Sequence, residues 1–386
     1  MTGAPALVAN LGGEESDRRG AIPEAALVMA RLWSLLFPAG TRFVDGLDVE
    51  PRWPVALGPA PDAAAFPWLA ADGAVAWLST SDAADTARAA GLALAGPPPD
   101  VVRRVHDKAF AHEVCRRAGL VPESLRDLVS VLDPAELEDA DAALQSLEER
   151  LGGWPAWARG RFALKPRLGS SGRGRVPGND GRADTPAIRN ALPRLARCGG
   201  AVLEPWLERE RDLSVQLHVA QGGGLTLVAT LEQCMTPSGV YRGHRGWIDY
   251  RGRVVSGSDF DDALLEAAAE VANAAAAEGF YGPCGVDAFV FEGPRGLELR
   301  PVVELNARFT TGTVLAGLIR RALPRIRERS FLAPGQRVPF AFSLETPAGG
   351  WPRDVDAQRI VLPLWRDGDS LRPTLVVARD LESLGV

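Results

Sequence analysis

The sequence predicts a chain of several packed units, α/β in its first part and α+β thereafter. Three observations carry this expectation. Strand-like and helix-like runs alternate along residues 6–94, a rhythm that builds parallel sheets with crossover helices. Two later apolar runs, 286–291 and 297–305, are separated by Gly293-Pro294-Arg295-Gly296 and can pair antiparallel. The chain has 386 residues, more than one hydrophobic core ordinarily spans, so two or three units are expected.

The elements follow in order. Residues 6–11 form a buried-strand run ending at Gly12-Gly13, followed by a helix over 24–37. Short strands are expected at 41–44 and 74–78, then a helix over 82–90 closed by Gly91, and a last strand at 92–94. Pro97-Pro98-Pro99 interrupts the pattern, and Asp100 is placed to cap the next helix. A second unit holds a helix over 134–151, a strand at 161–165, a Gly/Ser-rich loop and a mobile surface turn over 177–186. The third unit has strands at 213–219 and 225–231, an Ala-rich helix over 261–278 and the antiparallel pair. Arg320 to Arg329 alternates with apolar residues like a helix with a solvated charged face. Strand-like runs at 360–365 and 374–378 carry no obvious chemistry, and no internal repeat is present. The divisions are set at 1–120, 121–205, 206–330 and 331–386.

Composition excludes several classes of function. Net charge is −6 and no Lys/Arg stripe exists, which argues against nucleic acid as a partner. No apolar run approaches the length of a membrane span, and no basic n-region precedes an apolar core, so a soluble cytoplasmic protein is expected. Cys115, Cys198, Cys234 and Cys284 form no C-x-x-C pair and read as reduced, mostly buried thiols. His106, His112, His218 and His244 show no zinc-binding spacing. Of 43 Lys and Arg residues only Lys108 and Lys165 are lysines. An ammonium meets phosphate as a point charge on a flexible stem, whereas guanidinium is a wide planar fork. Chance survival at the surface would also explain two lysines, and local context must decide.

Lys165 ends the strand Phe162-Ala163-Leu164-Lys165 and is followed by Pro166-Arg167-Leu168-Gly169-Ser170-Ser171-Gly172-Arg173-Gly174. Small residues let backbone N–H groups approach phosphate oxygens while the lysine neutralises charge. No G-K-[ST] follows, so this is not a Walker A loop, and a plain turn has similar composition. Further on, Glu304, Asn306 and Arg308 fall on one strand face, with Asp287 able to oppose them. Two carboxylates and an amide oxygen are hard ligands suited to Mg²⁺. An exposed polar strand face would read similarly, but these strands are otherwise too apolar for that. Between the two lies Ala201-Val202-Leu203-Glu204-Pro205-Trp206-Leu207, a connector or a hinge that presents backbone to a base. Residues 239–246, with Tyr241, Arg242 and His244, fit a substrate loop or a surface hairpin.

In this order, over residues 74–314, these segments resemble the ATP-grasp superfamily. The resemblance implies an ATP-grasp fold with an N-terminal Rossmann-like pre-ATP-grasp domain (1–120), a lid (121–205), a catalytic subdomain (206–330) and a strand-rich C-terminal extension (331–386). It implies that Lys108, in His106-Asp107-Lys108-Ala109, and Lys165 contact ATP phosphates, with Gly169, Ser170, Ser171, Gly172 and Gly174 as the mobile phosphate loop. Glu204, Pro205, Trp206 and Leu207 match the adenine hinge, and Asp212 the ribose contact. Asp287, Glu304 and Asn306 match the Mg²⁺ ligands, with Mn²⁺ as a substitute. Arg308 is expected to stabilise the reacting oxygens, with Arg300 second, as a fork on a substrate carboxylate. Thr310, Thr311, Gly312 and His244 are candidates for the substrate pocket.

The reaction implied is amide or peptide bond formation between small-molecule carboxylate and amine substrates through an acyl phosphate, with a homodimer left open. One departure is Gly285, where D-alanine-ligase-like members carry an Arg. Biotin-dependent carboxylases are a rival, but they follow the metal-site Arg with a Glu, whereas Phe309-Thr310-Thr311-Gly312 stands here, and no further Lys exists to accept biotin. A phosphotransferase and a non-catalytic nucleotide-binding module are two more rivals.

Overall fold

A computed structural model describes residues 5–11, 24–47, 57–59, 61, 66, 68, 72–169, 174–328, 332–345, 358–364 and 371–384. The first unit holds strand β1 (Ala6–Val8), helix α1 (Glu24–Ser34), and strands β2 (Arg42–Phe43) and β3 (Ala74–Ala76), followed by α2 (Ser81–Ala89). Its sheet is parallel in the order β2-β1-β3, as the alternating pattern predicts. The expected strand at 92–94 contributes one isolated parallel bridge, Ala74 to Leu94. The expected Gly12-Gly13 terminus lies outside the described residues.

Helix α3 (Pro99–His106) begins on a proline, whose fixed φ and missing N–H suit the first helical position. Asp100 therefore sits inside the first turn, and Pro98 occupies the cap position without a side-chain bond, contrary to the expected Asp100 cap. Asp107 ends α3 and caps α4 (Lys108–Arg117), accepting from the Ala109 N–H at 2.8 Å. That break places Lys108 at the first position of α4.

The second unit contains β4 (Ser130–Leu132), α5 (Ala140–Gly152), β5 (Arg161–Pro166), β6 (Val176–Asn179), α6 (Pro186–Arg197) and β7 (Ala201–Pro205). Its strands are antiparallel in the order β4-β7-β5-β6. The single helix expected over 134–151 is split, because Asp139 caps α5 by accepting from Asp141 and Ala142 N–H groups at 3.0 and 3.1 Å, behind a 3₁₀ turn at Pro134–Leu137. The turn expected over 177–186 is corrected as well. Its first residues form edge strand β6, where Pro177 is tolerated. A Cβ at Gly178 would lie 2.0 Å from the Phe162 ring, so only glycine lets that ring pack there.

The third unit runs through β8 (Arg209–Val219), β9 (Leu225–Met235), β10 (Tyr241–Asp249), β11 (Val254–Val255), α7 (Asp261–Ala277), β12 (Gly282–Gly293), β13 (Gly296–Asn306) and α8 (Thr311–Glu328). It ends with β14 (Arg337–Ser343), β15 (Arg359–Pro363), β16 (Thr374–Ala378) and α9 (Leu381–Leu384). These strands form one nine-stranded sheet, β13-β12-β8-β9-β11-β10-β14-β16-β15, so the strands beyond residue 331 continue the sheet of the residues before them. Residues 241–246 are the returning limb of a β9–β10 hairpin whose turn spans 236–240, and β14 pairs along their other edge.

Arg320 to Glu328 belongs to α8, but its face is not simply solvated. Arg321 donates to the carbonyls of Gly58 (2.9 Å) and Leu35, and Arg327 donates to the Tyr250 carbonyl at 3.0 Å. Arg329 and Trp365 lie outside the described residues. All four cysteines are free, Cys115 and Cys284 buried and Cys198 and Cys234 partly so. Among the described residues no helix is long and apolar enough to cross a membrane.

An aromatic cluster joins the first unit to the third. Phe309 lies 5.1 Å from Trp33, 5.3 Å from Trp68 and 6.1 Å from Trp77, ring centre to ring centre. Such pairs contribute about 0.5–1.5 kcal/mol each beyond their buried area. They hold the backbone next to Arg308 in place.

Candidate active site

Lys165 on β5 and Glu204 on β7 are diagonal neighbours, since Ala163 is the residue opposite Glu204. Their side chains form an ion pair, and the second Glu204 oxygen accepts from Arg300 at 2.8 Å. Glu204 is 2% and Arg300 7% exposed, so these two are cut off from water, while Lys165 stays partly open to the cavity. Burial pushes the Glu204 carboxyl up, but Arg300 and Lys165 overcome it and hold it well below the usual range. Burial lowers the Lys165 ammonium, and Glu204 opposes that shift. Glu204 thus directs both oxygens at cations, and Arg300 lies beneath the site, outside the lining of its cavity.

Lys108 reaches the same cavity from α4. Its ammonium donates to the Gly169 carbonyl at 2.8 Å and pairs with Glu304 at 3.1 Å. Ser170, Ser171 and Gly172 lie outside the described residues. Gly174 has φ +72°, and a Cβ there would meet the Arg194 guanidinium at 2.5 Å.

Asp287 and Glu304 face each other in register across β12 and β13, and both line the cavity. Burial and then the Glu304 charge raise the Asp287 carboxyl. Burial also raises Glu304, but Lys108 and Lys165 hold it down. Asp287 accepts from Gln233 at 2.7 Å and from the Asn306 amide at 2.9 Å, while the Asn306 oxygen accepts from Arg308 at 2.9 Å. No group of three or more His, Cys, Asp and Glu side chains among the described residues is arranged to hold a metal. The donor set is two facing carboxylates and one amide. It suits a hard cation that takes its remaining ligands from phosphate and water. Asn306 would join through the second lone pair of the oxygen that accepts from Arg308.

Of the expected hinge residues Trp206 lines the cavity, whereas Pro205 and Leu207 do not. Arg175 stacks 3.9 Å from the Trp206 ring centre and donates to the Ser238 carbonyl at 2.9 Å, linking the second unit to the β9–β10 turn. Asp212 lines the cavity with its carboxylate engaged by Arg209 at 2.5 Å.

Thr310, Thr311, Gly312, His244 and Arg308 meet at the other end of the cavity. Burial holds the His244 imidazole down to about 3, and the Tyr241 hydroxyl lies 2.6 Å from its Nδ1. Gln216, absent from the sequence-based expectations, organises this end. Its amide oxygen accepts from the Thr310 hydroxyl and from Thr313 at 3.3 Å, and its nitrogen donates to Ser214 at 3.1 Å. A Cβ at Gly285 would lie 2.8 Å from Thr310 Cγ2 and 2.9 Å from the Gln216 oxygen. Gly285 is therefore a consequence of Gln216. Arg175, Arg209 and Gln233 also escape a reading of the sequence. A glutamine inside an apolar strand run is the readable signal for Gln216; the two arginines are lost among many.

No family model matches the chain, and no curated protein matches it. Solved structures do. Biotin carboxylase from Campylobacter jejuni, in complex with an ATP analogue, is 16% identical at TM-score 0.56, over 99% of this chain and 89% of its own. Carboxyaminoimidazole ribonucleotide synthase from Aspergillus clavatus, complexed with ATP, is 15% identical at TM-score 0.51, over 100% and 96%. The N5-carboxyaminoimidazole synthetase of Staphylococcus aureus, complexed with ADP, is 12% identical at TM-score 0.51, over 98% and 94%. The chain has the ATP-grasp fold. At such identities the likeness concerns the fold, and its span along this chain includes the strands beyond residue 331.

Proposed function

We propose that this chain is an ATP- and Mg²⁺-dependent, ADP-forming ligase that joins a carboxylate to an amine through an acyl phosphate. One observation carries the proposal: the only two lysines approach one cavity from different units, together with a facing pair of partly buried carboxylates. In this scheme residues 1–120 form the pre-ATP-grasp domain, 121–205 the lid and 206–330 the catalytic subdomain. Lys108 and Lys165 neutralise the nucleotide phosphates, and Trp206, which carries the stacked Arg175 guanidinium, lines the end assigned to the adenine. Asp287, Glu304 and Asn306 would hold Mg²⁺, or Mn²⁺ in its place, which supplies charge neutralisation at the phosphates. A substrate carboxylate oxygen attacks the γ-phosphorus and ADP leaves. The amine nitrogen then attacks the acyl carbon, phosphate leaves, and the nitrogen loses a proton. Arg308 is placed to stabilise the negative oxygens of both steps. Charge neutralisation and alignment supply most of the acceleration in such chemistry.

The test is a screen of carboxylate and amine pairs for ADP release, with product masses. An amide-linked product is expected; ADP formation without any amine would indicate a phosphotransferase. Likeness to biotin carboxylase and to carboxyaminoimidazole ribonucleotide synthase favours a second reading, in which the acid is bicarbonate. Turnover that vanishes in bicarbonate-depleted buffer would select it.

A further inference from the structure

A second cavity of about 350 Å³ lies where the first unit meets the nine-stranded sheet, and Arg308 lines both it and the first cavity. Its walls include Trp68, Trp77, Phe280 and Phe309, and no acidic side chain lines it among the described residues. Two of its lining residues carry buried nitrogens without a partner among the described residues, Trp68 Nε1 and His218 Nδ1. Trp68 is 5% and His218 8% exposed, and their rings are 5.5 Å apart. Native interiors seldom leave such groups unmet, and an unexplained pair beside a cavity asks for a ligand atom. Burial lowers the His218 imidazole to about 4, so it is neutral near pH 7. An ammonium group would find no counter-charge here and would be costly to bury.

We infer that this second cavity receives the body of the acid substrate: an aromatic or branched apolar group bearing a neutral hydrogen-bonding atom for Trp68 and His218, with its carboxylate at Arg308. The volume falls at the lower end of small-ligand pockets, enough for one or two rings. The ligand chemistry follows from the cavity itself, while its role as the acid substrate rests on the ligase proposal.

The probes are phenylacetate and indole-3-acetate, compared with acetate and glycine. Binding is read by calorimetry in the presence of MgADP, and activation by hydroxamate formation with ATP and hydroxylamine. The aryl acids are expected to bind saturably and acetate not. Trp68→Phe keeps an aromatic ring, removes the N–H and should weaken aryl-acid binding roughly three- to tenfold, the worth of one neutral hydrogen bond. Ala95→Leu, at another lining residue, should abolish it by filling space. Both variants should bind MgATP as the parent does, which also shows that they are folded. Aryl acids binding no better than acetate, or binding unchanged in both variants, overturns the inference. Aryl acids that bind without giving hydroxamate leave the cavity assignment standing and count against the ligase. Hydroxamate from acetate or glycine but not from aryl acids does the reverse.

Discussion

Replacing Glu204 by Gln tests the charge balance beneath the site most directly. The substitution keeps the shape and removes the one negative charge between Lys165 and Arg300, in a triad whose acid is 2% exposed. Breaking a buried pair by deleting one partner costs about 3–5 kcal/mol, because the remaining charges stay desolvated. That is a large share of the roughly 5–15 kcal/mol that holds a domain together. Lys165 should respond to pH. Its ammonium is already lowered by burial, and the Glu204 charge that opposes the shift would be gone. A lysine whose folded-state pKa lies below its unfolded value binds fewer protons when folded, so stability recovers as pH rises through that interval. The Gln variant should therefore be most destabilised near neutrality and less so toward about pH 10, the ordinary range of a lysine, while losing nucleotide affinity as Lys165 sheds its proton. Urea unfolding followed by circular dichroism at several pH values, with calorimetry of MgATP binding alongside, measures both. A loss of less than about 0.5 kcal/mol, the size of an ordinary surface change, at every pH would refute the reasoning.

Three further outcomes follow from the same geometry. Lys165→Arg keeps the charge but places a planar fork where an ammonium sits, so MgATP turnover should fall by at least about a hundredfold, read by ADP release; normal turnover would remove Lys165 from the phosphate site. Asp287→Asn combined with Glu304→Gln should abolish Mg²⁺-dependent turnover while the protein stays folded, the relief of carboxylate repulsion offsetting part of the lost Lys108–Glu304 pair; Mg²⁺-dependent activity in that protein would dismiss the metal site. Gly285→Ala forces a methyl to 2.8 Å from Thr310 Cγ2 and 2.9 Å from the Gln216 oxygen. It should lower kcat with little change in the KM for ATP, because it disturbs the Thr310 end of the cavity and leaves the lysines alone. An unchanged kcat would show that Gln216 does not position that end.

Much of the fold is legible in the sequence because its signals are local. Apolar runs such as 213–219 and 286–291, with glycine and proline between them, mark strands wherever they end up. Two kinds of misreading arise where a signal is ambiguous. Asp139 divides an apparently continuous helix, since an Asp can cap as readily as it can ride a helix face. Residues 176–179 look like a turn by composition but are held as a strand by β5 and the Phe162 ring. Sheet order is not readable, because β10 pairs with β14, Gly243 opposite Ser343, across a long stretch of intervening chain. In the site, residue types with distinctive chemistry stand out, and their present partners do not. Nothing local to Glu204 announces Arg300, because that contact depends on how the second unit sits against β13.

Those partners form a pattern. Each cation assigned to ATP or to the reacting oxygens holds a group assigned to the base, the sugar or the metal, and Arg209 does the same: Lys108 with Glu304, Lys165 with Glu204, Arg209 with Asp212, and Arg308 with Asn306. The cavity is lined by five cations, Lys108, Lys165, Arg175, Arg209 and Arg308, against three carboxylates, Asp212, Asp287 and Glu304, so it is net positive as it stands. Under the proposed chemistry a tetraanionic nucleotide and a divalent cation arrive together as a net dianion. Binding then becomes an exchange of partners, in which Glu304 turns to the metal while Lys108 turns to phosphate. Such an exchange suits an ammonium on a flexible stem better than a two-pronged guanidinium clamp. In a chain that writes its other positive charges as arginine, the two lysines stand where a cation has to release one anion and take up another.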